Sequence, residues 1–386
     1  MKNLETLIQE LCPDGVEFVK LGDVCIIKRG IRVVKKDLQE TGKNPVYQNS
    51  LVPLGYKDEF NYPSNVAFVI SAGAAGDVGY SEVPFWAADD CLTITCPSNI
   101  ENKYVYYFLK NYEYKLKSKV RKASIPRLSR KVVDDLEIPL PPIEVQTEIV
   151  RILDKFTSLE AELEAELDCR KRQYEYYRDK LLSFDNVGGQ EVEWKKMSEV
   201  CEIYDGTHQT PKYQTEGIPF ISVENIKDIY GSNKYISIEA YEAYKVKPKV
   251  GDVFMTRIGS IGACAVFTKQ EDVAYYVSLA LLRPNSAILD SRFFKHLIES
   301  SIGKRELSKR TLHNAVPIKI NKSDIGKIKL PVPSLSEQER IATILDRFES
   351  LTTSLQSGLP AEIAARRQQY EHYRDKLFTF KRKGVA

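Results

Sequence analysis

Gln173–Phe184 reads QYEYYRDKLLSF and Gln369–Phe380 reads QYEHYRDKLFTF; nine of these twelve positions are identical. Upstream of each copy lies a second shared block, ILDKF at Ile152–Phe156 and ILDRF at Ile344–Phe348, and before that a shared lead-in, IPLPP at Ile138–Pro142 and LPVPS at Leu330–Ser334. The chain is a tandem duplication, and that decides how the rest is read. In the first copy Ile149, Ile152, Phe156, Leu159, Leu163, Leu167, Arg170, Tyr174, Tyr177, Leu181 and Phe184 step by threes and fours, one apolar stripe interrupted at Arg170. Pro141 and Pro142 stop what precedes them, so a helix starts just after. A helix of roughly 40 residues at about 1.5 Å each is a rod of about 60 Å, far longer than an ordinary globular helix. It needs a partner of similar length. The second copy supplies one in Ile341, Ile344, Phe348, Leu351, Leu355, Ile363, Tyr370, Tyr373, Leu377 and Phe380. Between its ILD and RDKL blocks the second copy is four residues longer and contains Gly358-Leu359-Pro360, where the helix is expected to kink or break.

The rest of the chain follows the same duplication. VEFVKLGDVCIIKRG (Val16–Gly30) has its counterpart in VEWKKMSEVCEIYDG (Val192–Gly206). Residues 1–12 form a short amphipathic helix in this reading, ended by Pro13-Asp14-Gly15. The first globular segment has short apolar runs at Val66–Ile70 and Cys91–Thr95, glycines at Gly73, Gly76 and Gly79, a helix over Lys103–Leu116 and a last strand at Leu136–Ile138. Asn186–Gln190 (NVGGQ) reads as a flexible exit. The second segment repeats the plan, with strands at Ile218–Ile226 and Asp252–Arg257, a turn at Gly259–Gly262 in the place of Gly73–Gly76, and a helix at Phe293–Ser300. The expected organisation is α+β: residues 1–137 a helix and first globular domain, 138–185 the first long helix, 186–329 the second domain, 330–386 the second long helix. The helices have stayed alike while the globular segments have diverged, so the helices share a task and the domains have separate targets.

Composition excludes several classes. No apolar run approaches the roughly 18 residues of a membrane span, and the first residues, MKNLETLIQELCPDG, lack the pattern of a signal peptide. Seven cysteines without a CxxC pair and four scattered histidines speak for reduced thiols and against zinc. There is no GxxxxGK[ST] loop, no GxGxxG fingerprint, no GxSxG elbow and no HExxH. Asp89-Asp90 lacks the further acids and lysine of a nuclease metal site and reads as a strand edge. The chain reads as one that binds rather than reacts.

The net charge of +3 hides a segregation. Lys103–Lys131 carries ten Lys or Arg and one acid, and Lys304–Lys329 carries eight bases and two acids, at the same place in each half. The acidic run LEAELEAELD at Leu159–Asp168 offsets them. A solvated basic loop is the bland reading of either segment. Repetition at matched positions favours phosphate contact along a duplex, through Lys117, Lys119, Arg121, Lys122, Ser124 and Arg127 in the first half and Lys304, Arg305, Lys309, Arg310, Thr311 and Asn314 in the second. Candidate base-reading groups are Arg29, Arg32, Gln48 and Asn49, then Thr207, His208, Gln209, Asn225, Arg257 and Ser260, because Arg suits guanine edges and Asn or Gln adenine.

These residues bring a family into view. Two variable globular segments, each followed by a long helix ending in QYEYYRDKLLSF or QYEHYRDKLFTF and entered through LPxP with a Gln–Glu-rich start (Gln146–Glu148, Glu337–Glu339), resemble the specificity subunit of a type I restriction–modification system. The resemblance covers essentially the whole chain. It implies two target-recognition domains that each read half of a split, asymmetric site in double-stranded DNA, and two long helices packed antiparallel as a coiled-coil spacer with pseudo-twofold symmetry. It also implies that these helices dock two adenine-methyltransferase subunits, through residues such as Phe156, Tyr174, Tyr177, Arg178, Leu181, Phe184, Phe348, Tyr370, Tyr373, Arg374, Leu377 and Phe380. S-adenosylmethionine would sit on those subunits, ATP and Mg²⁺ on restriction (motor-nuclease) subunits that join for cleavage, and no cofactor or metal on this cytoplasmic chain. A coiled-coil scaffold and a self-contained nuclease or methyltransferase are the competing readings.

Overall fold

The computed structural model describes residues 4–184, 192–353 and 358–384; the Asn186–Gln190 exit and Leu355 lie outside them. The chain divides into two compact units, Met1–Leu163 with Ile363–Ala386, and Glu164–Glu362.

In the first unit the strand Phe18–Lys20 pairs antiparallel with Glu137–Pro139, so the start and end of the globular segment are tied together. Between them an antiparallel sheet runs in the spatial order Ile26–Arg29, Cys91–Thr95, Val66–Ile70, Val78–Ser81. Every residue of VAFVI at Val66–Ile70 is buried, as a central strand covered on both faces requires. A smaller sheet sets Asn44–Tyr47 between Gly55–Lys57 and Trp86–Ala87. Helix Asn102–Asn111 buries Tyr104, Val105, Tyr107, Phe108 and Leu109.

The second unit repeats this topology with different residues. Glu193–Lys196 pairs with Lys329–Val332. The four-stranded sheet runs Cys201–Asp205, Leu279–Pro284, Val253–Thr256, Cys264–Val266, and the smaller sheet sets Ile218–Ile221 between Tyr235–Ile236 and Ala274–Tyr275. The turn equivalence holds in detail. Gly73 and Gly76 have φ of +84° and +94°, and Gly259 and Gly262 have +80° and +91°, the left-handed region that glycine enters without penalty.

Two sequence expectations need correction. The helix over Lys103–Leu116 is two helices, Asn102–Asn111 and Glu113–Ser118, joined at Tyr112. The second unit breaks at the corresponding place: Ser291–Glu299 ends at Ser300, whose side chain caps Ser301–Ser308 by accepting from Gly303 N at 3.2 Å. The strand expected over Ile218–Ile226 stops at Ile221, because Ser222 and Asn225 form a reciprocal cap around the short turn Val223–Asn225.

The first long helix spans Ile143–Leu182, 40 residues, starting directly after Pro142. The second is broken as expected into Leu335–Thr353 and Leu359–Leu377. Gly358 has φ +81°, and a Cβ there would approach Leu351 O to 2.9 Å. The long helices pack together within each unit. In the first, Phe156 stacks on Tyr373 with centroids 5.5 Å apart and Glu160 pairs with Arg367, an antiparallel register. In the second, Tyr177 stacks on Phe348 at 5.8 Å.

Three repeated anchors explain why the shared blocks are shared. Gln146 is buried; its Nε2 donates to Pro141 O (2.8 Å) and its Oε1 accepts from Glu101 N (2.9 Å). Gln338 does the same with Pro333 O (2.8 Å) and Asp290 N (2.8 Å). Each glutamine joins the start of a long helix to the start of the domain's late helix. Asp154 accepts from Tyr107 (2.6 Å) and pairs with Lys103 (3.1 Å); Asp346, its repeat, meets His296 (2.7 Å) and Arg292 (3.3 Å). Finally, Leu182 and Phe378 occupy equivalent positions in LLSF and LFTF, and both are buried in a globular core. Leu182, from the first copy, enters the core of the second globular segment. Phe378, from the second, enters that of the first.

The Asp346 anchor is expected to be costly to break. Burial pulls its carboxyl up, but the hydrogen bond and charge of His296, with Arg292 and Lys295, outweigh burial and hold it below the usual range. A depressed pKa gives stability that is present above the unfolded-state value and lost as pH falls through the folded one. Asp346→Ala leaves the fully buried His296 without its Nε2 partner, a loss of about 1–3 kcal/mol. Chemical denaturation at pH 7 measures it, and in acid the difference from wild type should shrink.

Candidate nucleic-acid interface

In the first unit a chain of backbone hydrogen bonds gathers loops far apart in sequence. Ile31 N donates to Ala87 O (2.9 Å), Ala88 N to Tyr47 O (2.8 Å), Ala74 N to Asn49 O (2.9 Å), Gly73 N to Pro126 O (3.2 Å) and Leu128 N to Ser71 O (2.8 Å). Residues 29–32, 47–49, 71–74, 87–90 and 126–128 therefore form one cluster at the end of the sheets. Arg121 and Arg127 exchange two backbone hydrogen bonds (2.8 and 3.2 Å), closing a hairpin whose side chains stand in solvent. Gly73 is needed here: a Cβ would meet Asn49 Cβ at 2.8 Å.

The second unit builds the same cluster. Thr207 N donates to Tyr275 O (3.1 Å), Tyr276 N to Ile221 O (2.9 Å), Arg257 N to Ser278 O (2.9 Å), Gly259 N to Ile318 O (2.8 Å) and Ile320 N to Arg257 O (3.0 Å). Leu312 and Lys319 close the equivalent hairpin. Thr207 also borders a cleft of about 760 Å³ lined by His208, Gln209, Lys212, Tyr244 and Lys322, among others. Burial pushes the Tyr244 phenol up to about 12, and its hydroxyl has no hydrogen-bond partner in good geometry.

The sequence candidates divide between exposed and committed side chains. Arg29, Arg32, Asn49, Lys119, Arg121, Lys122, Ser124 and Arg127 are exposed around the first cluster, and Gln48 is half-buried. Among the described residues Lys119, Arg121, Lys122 and Arg127 have no acidic partner, whereas Lys117 is neutralised by Asp77 (2.8 Å) and Glu113 (2.6 Å). In the second unit His208, Gln209, Ser260, Lys304, Arg305 and Asn314 are exposed. Lys309 pairs with Glu306 at 2.5 Å, and Thr311 donates to Leu307 O at 2.8 Å. Arg310 Nε is buried without a partner. Thr207 is half-buried, with its hydroxyl 3.3 Å from Gln209 N. Asn225 accepts from Ser222 N at 3.1 Å. Arg257 is buried, joined to Asp205 and donating to Ile320 O at 3.2 Å; it braces the hairpin instead of extending outward.

The residues singled out on the long helices serve internal packing. Tyr174, Leu181 and Phe184 lie against the second core, and Tyr370, Leu377 and Phe380 against the first. Arg178 is buried beside Tyr174, and Asp179 accepts from Ser301 N at 3.0 Å. Arg374 donates to Asn111 at 3.0 Å. Tyr177 and Tyr373 keep exposed edges over Phe348 and Phe156. Sequence reading passed over Leu182 and Phe378, the most deeply buried of the repeated block; the apolar matches at LLSF and LFTF were the available signal. Asp89, read from sequence with Asp90 as a strand edge, lies in the turn before Cys91–Thr95, and its Oδ1 is buried without a partner in the first cluster.

Among the described residues one group could face a cation, His296 with Asp346 and Glu349. Its atoms are already occupied: the Lys295 ammonium lies 2.5 Å from both Glu349 oxygens, and His296 bridges Tyr174 and Asp346. No helix among the described residues is long and apolar enough to cross a membrane.

Comparison with known proteins agrees with this architecture. Residues 13–168 and 190–365 match the type I restriction modification DNA specificity domain. The Escherichia coli EcoR124I/EcoR124II specificity subunit is 34% identical over 98% of this chain and 97% of its own length. The solved S subunit of a type I system from M. genitalium has the same fold, with a TM-score of 0.61 at 16% identity over 94% of this chain and 96% of its own. A chain solved in work on complex assembly of the type I R-M system also gives 0.61, at 20% identity over 97% and 99%. With the family model matched in both halves and a relative similar from end to end, the chain belongs to the DNA specificity (S) subunits of type I restriction–modification systems.

Proposed function

We propose that this non-catalytic subunit reads a bipartite, asymmetric DNA site, one half through each loop cluster. The observation that carries the reading is that two clusters built from the same topological positions present different groups. Arg29, Arg32 and Asn49 stand in one, and His208, Gln209 and Ser260 in the other. Phosphate contacts from Lys119, Arg121, Lys122 and Arg127, and from Lys304 and Arg305, fix position without reading sequence; the base-facing groups of each cluster supply the reading. Linking two modest readers on one chain raises affinity without new contacts. The paired helices set the gap between the half-sites and carry two adenine-methyltransferase subunits, with restriction subunits joining for cleavage in the cytoplasm. S-adenosylmethionine, ATP and Mg²⁺ belong to those partners.

The test uses the chain assembled with its methyltransferase subunit, titrated against a duplex at several salt concentrations. Lys119→Ala with Lys122→Ala is expected to lower the slope of log K against log salt by about two. An unchanged slope would remove the hairpin from the phosphate surface. DNA binding that never appears would favour a scaffold, and methyl transfer or cleavage by the chain alone would favour a self-contained enzyme.

A further inference from the structure

The tips of the two basic hairpins carry an unexpected residue type. In the first unit Ile125, followed by Pro126, is 53% exposed; in the second Val316, followed by Pro317, is 100% exposed. The hairpins are topological equivalents: Ala72 bridges Arg127 as Ile258 bridges Lys319, and Arg121 bridges Arg127 as Leu312 bridges Lys319. Single exposed apolar residues are ordinary. The second hairpin is one residue longer, so Val316 lies three residues before Lys319 where Ile125 lies two before Arg127, but an exposed β-branched residue followed by proline recurs in the same hairpin of two segments that otherwise diverged. Each tip is held stiffly, since its base is hydrogen-bonded into the glycine turn through Gly73 N–Pro126 O (3.2 Å) or Gly259 N–Ile318 O (2.8 Å). The surroundings are basic, with Arg121, Lys122 and Arg127 beside Ile125 and with Lys319 beside Val316.

We propose that Ile125 and Val316 are wedge residues, carried into a groove of the duplex by the charge around them and pressed against the bases, between adjacent steps or on a thymine methyl. A rigid β-branched side chain loses little freedom on insertion, and apolar wedges flanked by cations are a known way to unstack and bend DNA. Such a contact gains its energy from desolvation and stacking, so it is insensitive to salt, unlike the phosphate contacts around it. The second wedge is the broader, because Leu312 and Ile318 are also exposed beside Val316.

This inference rests on the loop clusters being the DNA surface, and the experiment separates the two. The chain with its methyltransferase subunit is titrated against a duplex bearing its mapped site, with 2-aminopurine placed in turn at steps of each half. Val316→Ala and Ile125→Ala are each expected to weaken binding about tenfold, a base-contact-sized loss, with the salt slope unchanged. The rise in 2-aminopurine fluorescence should be lost only in the half-site served by the altered domain. Val316→Ile should keep affinity and fluorescence. Arg127→Ala, the control for the underlying reading, should lower the slope by about one. The wedge is overturned if both alanine variants bind as wild type, or if they lose affinity together with slope. It is also overturned if they bind DNA normally but fail to assemble with the methyltransferase, which would make the tips a protein-docking feature.

Discussion

Phe378→Ala is expected to destabilise the first unit by about 3–5 kcal/mol, and Leu182→Ala the second by about 2–5 kcal/mol. Neither residue lies in the globular segment whose core it fills. Phe378 is 4% exposed and meets the rings of Tyr104 at 5.2 Å and Phe108 at 5.7 Å, both on the helix Asn102–Asn111. Just beyond it the chain is tied on by Val16 N to Lys381 O (2.8 Å), Lys383 N to Val16 O (3.0 Å) and Arg382 to Glu137 (2.6 Å). Removing the ring leaves a cavity under Tyr104, which cannot shift freely because its hydroxyl donates to Pro139 O at 2.8 Å. Hydrogen exchange should speed up both in Asn102–Asn111 and in residues 370–383, showing that the tail and the late helix open as one. A loss below about 1 kcal/mol, with exchange confined to the tail, would mean that the repeated block is not part of the domain's core.

The second large effect is a change of specificity. Exchanging residues 16–135 for the corresponding segment of another S subunit is expected to replace one half of the methylated motif and leave the other half and the gap intact. The first loop cluster lies inside that segment, from Arg29 to Leu128. The anchors to the long helices, Gln146, Asp154 and Phe378, lie outside it. The graft must therefore present groups where Lys103 and Tyr107 meet Asp154 and where Glu101 N meets Gln146. If it does, reading changes and architecture does not. Methylation mapping of the host genome reads the outcome; altered bases in both halves would show that the two readers are not independent.

Periodicity and repetition made much of this legible. The apolar stripe after Pro142 gave the 40-residue helix, Gly358 gave its break in the second copy, and the glycine pairs gave equivalent turns. The candidates Arg29, Asn49 and Arg127, scattered in sequence, do converge on one cluster. What sequence did not carry was the use of each block. A tail that ends one copy packs on the globular segment of the other, and nothing in linear order distinguishes that from packing on its own. The resemblance puts docking on residues such as Tyr174, Arg178 and Tyr370, and the fold turns these inward. Arg257 had the chemistry of a guanine reader, but Asp205, 52 residues away in sequence, claims it. The anchor glutamines were visible only as part of a polar helix start, because burial of an amide depends on the acceptors and donors that tertiary structure brings to it.

The most direct test is to map methylated adenines in a host expressing this chain with its methyltransferase subunit. Two readers of unlike chemistry on one chain predict a single asymmetric motif of two short specified parts, separated by a gap of constant length, with one methylated adenine in each part. A continuous motif, a palindrome, or a gap that varies from site to site would contradict it.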